Sequence, residues 1–214
     1  MALLHQAELR PSKMELLDGW APSQPWFRGE PGTTCRSVGA FRWDDPEGEV
    51  GVETHLVSAG DSPVMQIPVT YRGAPLAGAE QHLIGTMEHS VLGPRWVYDG
   101  AGDPVYLLTV ASAALHGAPQ ASLEIEIDGK LVAREPNAAV SGTVVDGAPE
   151  VSLATVDFLT VASDESQTVV DAAGLRITVI RTPSSSVAPP AGAGTVSGTW
   201  EGQPGPLLLV TVEA

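Results

Sequence analysis

The chain is short of cysteine and of basic residues. Cys35 is the only cysteine among 214 residues, so the chain can form no disulfide within itself and no cysteine-based zinc site. Lysine and arginine number 11 against 26 aspartates and glutamates, which gives a formal net charge of −15. Nucleic acids and anionic membranes bind best to a basic surface. We therefore expect neither a nucleic acid nor a membrane as partner.

Long apolar runs are also missing. No stretch approaches 18 uninterrupted apolar residues, and the run at residues 204–210 has only the length of a core strand. Residues 1–6 contain no basic region followed by a long apolar run, which is the pattern of a signal peptide. The sequence therefore predicts a cytoplasmic protein.

Glycine and proline are abundant, with 23 and 18 residues, while aromatic residues make up only 5% of the chain. This composition is typical of many short strands joined by turns. Apolar and polar residues alternate at residues 50–56, 65–71, 123–127 and 175–180, as they do in strands. Asp128-Gly129 predicts a tight hairpin turn. Such short turns connect antiparallel strands and cannot connect parallel ones.

Two helices are indicated by their capping residues. Ser12 and Glu15 have the spacing of a capping box, and the helix that they open should be short because Gly19 follows. A second helix should begin at Asp103-Pro104 and end near Gly117, since aspartate caps a helix start and glycine often ends one. The predicted fold class is α+β, β-rich, with mainly antiparallel sheets and about two helices.

The composition changes near residue 118. Nine of the eleven aromatic residues, all five histidines and Cys35 lie in residues 1–118. We therefore expect one domain at residues 1–118 and a β-rich domain of unknown type at residues 119–214. The residues themselves leave open whether the second domain is continuous with the first.

No motif in the sequence predicts a catalytic, cofactor or metal site. A phosphate-binding G-x-x-x-x-G-K-[ST] loop, an H-E-x-x-H motif and a G-x-S-x-G elbow are all absent. Glu88 and His89 are adjacent, and adjacent residues of a strand point to opposite faces. Residues 44–49 are acidic and could supply oxygen ligands for calcium, but their Asp-Pro and Glu-Gly pairs instead predict a solvated turn before the next strand. We therefore expect no catalytic residue, no cofactor and no metal ligand.

One stretch could bind a small molecule. On a strand at this point Trp96 and Tyr98 would share one face, and Arg95 and Asp99 would share the other. Aromatic rings combined with arginine and aspartate can hold a sugar by stacking and by bidentate hydrogen bonds. The alternative is that the aromatic residues pack in the core beneath the second helix. We name these four as candidate ligand-binding residues.

Several short motifs occur in an order known from one family. Residues 16–29 read L-L-D-G-W-A-P-S-Q-P-W-F-R-G and contain the pattern W-x-P-x-Q-x-W-[FY]-x-G. Together with the strand at 66–72 and the segments at 83–85 and 98–104, they resemble the N-terminal cap domain of actinobacterial maltokinases. The resemblance covers about residues 1–118.

The resemblance implies a stand-alone cap-like protein, because the chain is too short to hold a cap and a two-lobed kinase. The kinase's catalytic loop reads like H-G-D-x-H-x-x-N, whereas here His116-Gly117 is followed by Ala118-Pro119. The implied function is a non-catalytic accessory protein of maltose/trehalose–glycogen metabolism whose partner is another protein or a second copy of itself. A carbohydrate-binding module for a maltose-type sugar or glucan is the alternative, and a glucan-active enzyme is a third hypothesis.

Overall fold

The structure is a computed structural model that describes residues 2–4, 7–127, 130–156 and 159–214. The described residues form two α-helices, α1 (Lys13–Trp20) and α2 (Pro104–His116), and fifteen strands. The strands before α2 are β1 (Ala2–Leu4), β2 (Leu9–Arg10), β3 (Cys35–Trp43), β4 (Gly51–Ala59), β5 (Met65–Arg72), β6 (Leu83–His89) and β7 (Gly93–Asp99). Those after it are β8 (Leu123–Ile127), β9 (Lys130–Arg134), β10 (Ala138–Gly142), β11 (Thr160–Ser163), β12 (Gln167–Ala172), β13 (Leu175–Ile180), β14 (Gly194–Trp200) and β15 (Leu207–Glu213).

The first helix begins with the predicted capping box. The Glu15 amide donates to Ser12 Oγ at 3.3 Å, and the Ser12 amide donates to Glu15 Oε2 at 2.7 Å. The helix is short, as predicted, but Gly19 lies inside it and does not end it. The chain passes directly from Trp20 into a 3-10 turn at Ala21–Ser23, where Pro22 is tolerated because the first turn of a helix does not need its amide.

The second helix has the predicted limits. The Asp103 carboxylate accepts a hydrogen bond from the Val105 amide at 2.9 Å, and Gly117 follows the last turn with a φ of +68°. That left-handed conformation is easily adopted by glycine and strained for other residues. Eight of the thirteen residues of α2 are buried, so it is a core helix. Neither α1 nor α2 is long and apolar enough to cross a lipid bilayer.

Two six-stranded sheets dominate the molecule. Their strand orders are β2-β6-β7-β5-β4-β3 and β10-β14-β15-β13-β12-β11, and every pair of neighbours in them is antiparallel. A smaller sheet, β1-β8-β9, contains one parallel pair, β1 with β8. The prediction of a β-rich α+β fold with mainly antiparallel sheets is therefore confirmed. The predicted Asp128-Gly129 turn lies outside the described residues.

The apolar core has two clusters. One cluster joins both large sheets across α2 and includes Leu56 of β4, Leu107 of α2, and Ile177 and Leu209 of the second sheet. The other lies beneath α1 on the opposite face of the first sheet. Strand β4 is consequently covered on both faces, and all but its first residue are buried. Each large sheet is built from one predicted half of the chain, but the larger core cluster includes residues of both.

Buried polar side chains also connect the two large sheets. Gln66 of β5 is fully buried, and its side-chain amide donates to the carbonyls of Ile180 at 3.1 Å and Leu209 at 2.9 Å. Arg181 directly after β13 is also fully buried and donates to Asp99 Oδ2 at the end of β7 at 2.6 Å. These bonds satisfy donors that would otherwise be costly to bury, so they fix the relative position of the sheets.

Candidate functional site

A groove of about 460 Å³ crosses one end of the first sheet, where all six strands contribute to its lining. We call it the polar groove because charged side chains enter it from several elements. Lys13 comes from the start of α1, Arg42 from β3 and Arg95 from β7. The loop between β3 and β4 adds three carboxylates, those of Asp44, Asp45 and Glu49.

The acidic loop is held by one of its own carboxylates. The Asp45 side chain accepts hydrogen bonds from the amides of Glu47 at 3.0 Å, Glu49 at 3.0 Å and Val50 at 2.8 Å. This pattern is an aspartate turn, in which the side chain replaces backbone partners. The predicted turn at residues 44–49 is therefore confirmed. The Asp45 carboxylate thus accepts its hydrogen bonds from backbone amides of the turn and of Val50 directly after it. The Glu49 carboxylate has no hydrogen-bond partner among the residues that the structure describes.

A buried ionic cluster lies under the floor of the polar groove. Glu53 of β4 is only 7% exposed, and its Oε2 accepts from Lys13 Nζ at 2.5 Å. His55 Nε2 lies 3.5 Å from the same carboxylate oxygen and 3.0 Å from the Tyr71 hydroxyl. The Lys13 ammonium also lies over the Tyr71 ring, 5.2 Å from its centre. These four side chains form one connected network.

The pKa values of Glu53, His55 and Tyr71 in this network are displaced from their ordinary values. Burial alone would raise the pKa of Glu53, but the charges of His55 (when protonated), Lys13 and Arg42, with the Lys13 hydrogen bond, lower it to about 2. Burial lowers the pKa of His55, against the opposing effect of Glu53. Burial and the neighbouring Glu53 charge raise the pKa of Tyr71 well above its usual 10. Glu53 therefore stays ionised, while His55 is neutral and Tyr71 keeps its proton.

Arg42 brings an incompletely paired guanidinium into the polar groove. Its Nε is buried and has no acceptor within the described part of the chain. The guanidinium fits against the backbone because residue 51 is glycine, where an added Cβ would lie 3.1 Å from Arg42 Nη2 and 3.3 Å from Tyr71 Cδ2. A buried donor without an acceptor costs free energy unless water or a ligand satisfies it.

The four residues predicted to bind a ligand do not converge on one site. All four lie in β7, and Arg95 lines the polar groove. Trp96 is partly exposed and is not among the residues that line the groove. Tyr98 is 2% exposed, and its hydroxyl accepts from the Leu76 amide at 2.8 Å. Asp99 is buried and bonded to Arg181. Only Arg95 is thus placed in the groove, and ligand binding by these residues stays a prediction.

Arg181 makes Asp99 part of the junction between the large sheets. Its Nη2 donates to Asp99 Oδ2 at 2.6 Å, and its Nε donates to Thr168 Oγ1 at 2.8 Å. The guanidinium also stacks over Trp26, 4.8 Å from the ring centre. Trp26 is fully buried. These contacts give Asp99 a structural role.

Cys35 is placed as an unreactive thiol. It is buried, and burial together with the neighbouring Asp18 raises its pKa to about 12. A thiol with such a pKa carries almost no nucleophilic thiolate at neutral pH.

In the described residues no group of three or more His, Cys, Asp or Glu side chains is arranged to hold a metal ion. His89 lines the polar groove, and its Nδ1 accepts from the amides of Val91 at 3.2 Å and Leu92 at 3.1 Å.

Sequence reasoning missed most of the polar groove. Lys13, Arg42 and Glu49 are distant in sequence from Arg95, and nothing in the local pattern brings them together. One signal was available in β4, where the polar residues Glu53 and His55 occupy alternate positions of a strand rich in apolar residues. Paired polar side chains on one face of a long strand indicate a buried or functional cluster when that face is covered.

The comparison with known proteins bears on this same region. A family model described as the maltokinase N-terminal cap domain matches residues 20–103. This range is narrower than residues 1–118, but it includes β3 to β7 and, with them, the Arg42 and Arg95 sides of the polar groove. No curated protein matches the chain significantly. The resemblance found in the sequence is confirmed: residues 20–103 form a segment similar to the maltokinase N-terminal cap domain.

Proposed function

We propose that this protein acts by binding and not by catalysis, as a cap-like accessory protein associated with maltose/trehalose–glycogen metabolism. The family match supports the association, because it covers the cap region. The same chain contains neither the H-G-D-x-H-x-x-N loop nor a phosphate-binding glycine loop. Its partner is a protein of that metabolism or a second copy of the chain.

One observation carries the non-catalytic part of this proposal. Beneath the polar groove the pKa of Glu53 is lowered to about 2, that of Tyr71 is raised well above 10 and that of His55 is lowered from its ordinary value, whereas a general acid or base works best with a pKa near the working pH. Glu53 is held as an anion by Lys13, 2.5 Å away, so it is a poor proton donor. Cys35, with a pKa of about 12, is no better as a nucleophile. The cluster is built to fix Lys13 and Tyr71 in place.

A turnover assay tests this proposal. The purified protein is incubated with Mg-ATP and maltose, trehalose or a short glucan, and the ADP and free sugar released are measured. We expect no turnover above that of a heat-denatured sample. Nucleotide consumption or glucan cleavage at a rate typical of enzymes would contradict the proposal.

A pull-down tests the partner. The full chain is used as bait in a host lysate beside an unrelated bait of similar negative charge, and captured proteins are identified by mass spectrometry. Selective recovery of an enzyme of maltose, trehalose or glycogen metabolism supports the proposal. Light scattering of the purified protein tests the other expected partner, a second copy.

A carbohydrate-binding module is the second candidate. The polar groove favours it, since its volume of about 460 Å³ is that of a small-molecule site. Such a module would also act without catalysis, so the turnover assay does not separate the two candidates. A titration with sugars separates them, because only the carbohydrate-binding module is expected to bind a sugar.

A further inference from the structure

We infer that the polar groove binds a neutral polyhydroxylated molecule of mono- or disaccharide size. The inference rests on the proposed function, since it takes the groove as a binding site and not as a catalytic one. The volume of about 460 Å³ lies within the roughly 300–1,000 Å³ of small-molecule pockets. A groove of this size admits a compact ligand and excludes a protein domain.

The charge balance of the lining indicates a neutral ligand. Arg42 and Arg95 bring two positive charges to the lining, Lys13 brings a third that the Glu53 carboxylate beneath it already pairs, and the loop between β3 and β4 adds three carboxylates, so the charges of the two signs nearly cancel. A phosphate or carboxylate ligand would meet the carboxylates and the strongly negative protein as a whole. A cationic ligand would meet the arginines. Neither charged class has an advantage here.

The hydrogen-bonding groups indicate hydroxyls. Arg42 Nε has no acceptor among the described residues, and Arg95 Nη1 donates to the carbonyl of the preceding residue, Pro94, at 3.2 Å. The carboxylate of Glu49, which also lines the groove, has no donor within the described ranges. A hydroxyl group both donates and accepts, so a ring carrying several of them can pair with guanidinium and carboxylate groups together. Tyr71 also lines the groove and is partly exposed, with the Lys13 ammonium over its ring.

The site is also held in shape before any ligand arrives. Lys13 is fixed by Glu53, and the acidic loop is fixed by the three amides that donate to Asp45. Glycine at position 73 leaves room for Arg95, because an added Cβ would lie 3.1 Å from its Nη1. Preorganised groups lose little entropy on binding, which favours affinity for a small ligand.

Calorimetric titration of the full chain tests the inference. The probes are glucose, maltose and trehalose, with glucose 6-phosphate as an anionic analogue and glucosamine as a cationic one. Glu49→Gln and Arg95→Gln are the test variants. Their matched controls are Glu47→Gln, in the same loop but not lining the groove, and Arg176→Gln, an exposed arginine of the second sheet.

We expect saturable binding of at least one neutral sugar, weakened about tenfold by each test variant and unchanged by each control. Melting curves confirm that all four variants are folded. Binding that is equal in test and control variants would overturn the assignment to this groove. Preference for glucose 6-phosphate or glucosamine would overturn the ligand class, and no heat with any probe would overturn both. ADP and free sugar are measured in the same samples, and their release would instead contradict the proposed non-catalytic function.

Discussion

Replacing Lys13 with methionine should destabilise the fold by about 2–4 kcal/mol at pH 7. Lys13 Nζ donates to Glu53 Oε2 at 2.5 Å, and Glu53 is only 7% exposed. Methionine keeps much of the apolar stem of lysine, so the change removes the charge more than the packing. The carboxylate of Glu53 then stays buried with its strongest donor missing.

The structure gives the magnitude in two ways. A pKa of Glu53 lowered from 4.5 to about 2 corresponds to about 3 kcal/mol in favour of the ionised folded state, to which the charge of a protonated His55 contributes most and Lys13 contributes next. Removing one partner of a buried pair typically costs about 3–5 kcal/mol, and the partial exposure of Lys13 reduces that figure. Lys13 is also the first residue of α1, where a positive charge is unfavourable. Losing it returns at most about 1 kcal/mol, which does not change the sign.

Urea unfolding followed by tryptophan fluorescence measures the effect. The Glu53 contribution is complete above its unfolded pKa of about 4.5 and is lost as the pH falls towards 2, because the folded pKa is the lower one. Between pH 5 and pH 3 the wild type should therefore lose more stability than Lys13→Met. Arg10→Met is the control, since Arg10 pairs with Glu8 at 3.0 Å in a largely exposed bridge. If Lys13→Met were no less stable than this control at pH 7, Lys13 would not be the residue that stabilises the buried Glu53 carboxylate.

Three further predictions concern buried groups elsewhere. Trp26→Ala should cost about 3–5 kcal/mol, because the ring is fully buried; an unchanged melting temperature would place Trp26 outside the core. Arg181→Met should cost about 3–5 kcal/mol in urea unfolding, since it leaves the buried Asp99 carboxylate without its 2.6 Å partner; a loss below 1 kcal/mol would contradict this. Cys35, with its pKa of about 12, should react with iodoacetamide at pH 8 only in urea, as followed by mass spectrometry, and rapid native labelling would contradict its burial.

The sequence was most informative where the cause of a structure is local. A capping box needs only the side chain of Ser12 and that of Glu15 three residues later, and both bonds are present. The limits of α2 follow in the same way from Asp103 and Gly117. Gly19 is an exception to these local rules, because it lies inside α1 and does not end it. A glycine costs a helix only about 1 kcal/mol, and the burial of Leu17 in the same helix outweighs that cost.

Strand order could not be predicted because it depends on contacts between distant segments. Strand β5 pairs with β7, and β6 lies on the far side of β7, so the chain between β5 and β6 must cross the sheet end. Alternation in a sequence defines which residues share a face but does not name the neighbouring strand. The burial of Glu53 and His55 depends on that placement as well, since α1 and Tyr71 cover them only in the folded chain.

The candidate site shows the same limit within a single strand. Arg95 and Asp99 are two periods apart in β7, so the two-residue repeat places them on one face, but four residue steps along the strand separate them by about 13 Å. At one end Arg95 opens into the polar groove, and at the other Asp99 meets Arg181, a residue 82 positions later in the chain. The face was predictable from a two-residue period, while the partner at each end was not. Residues on one face of a strand therefore belong to one site only if they also lie near the same end of that strand. Arg42 and Glu49 line the polar groove with Arg95, so they are the residues to test beside it.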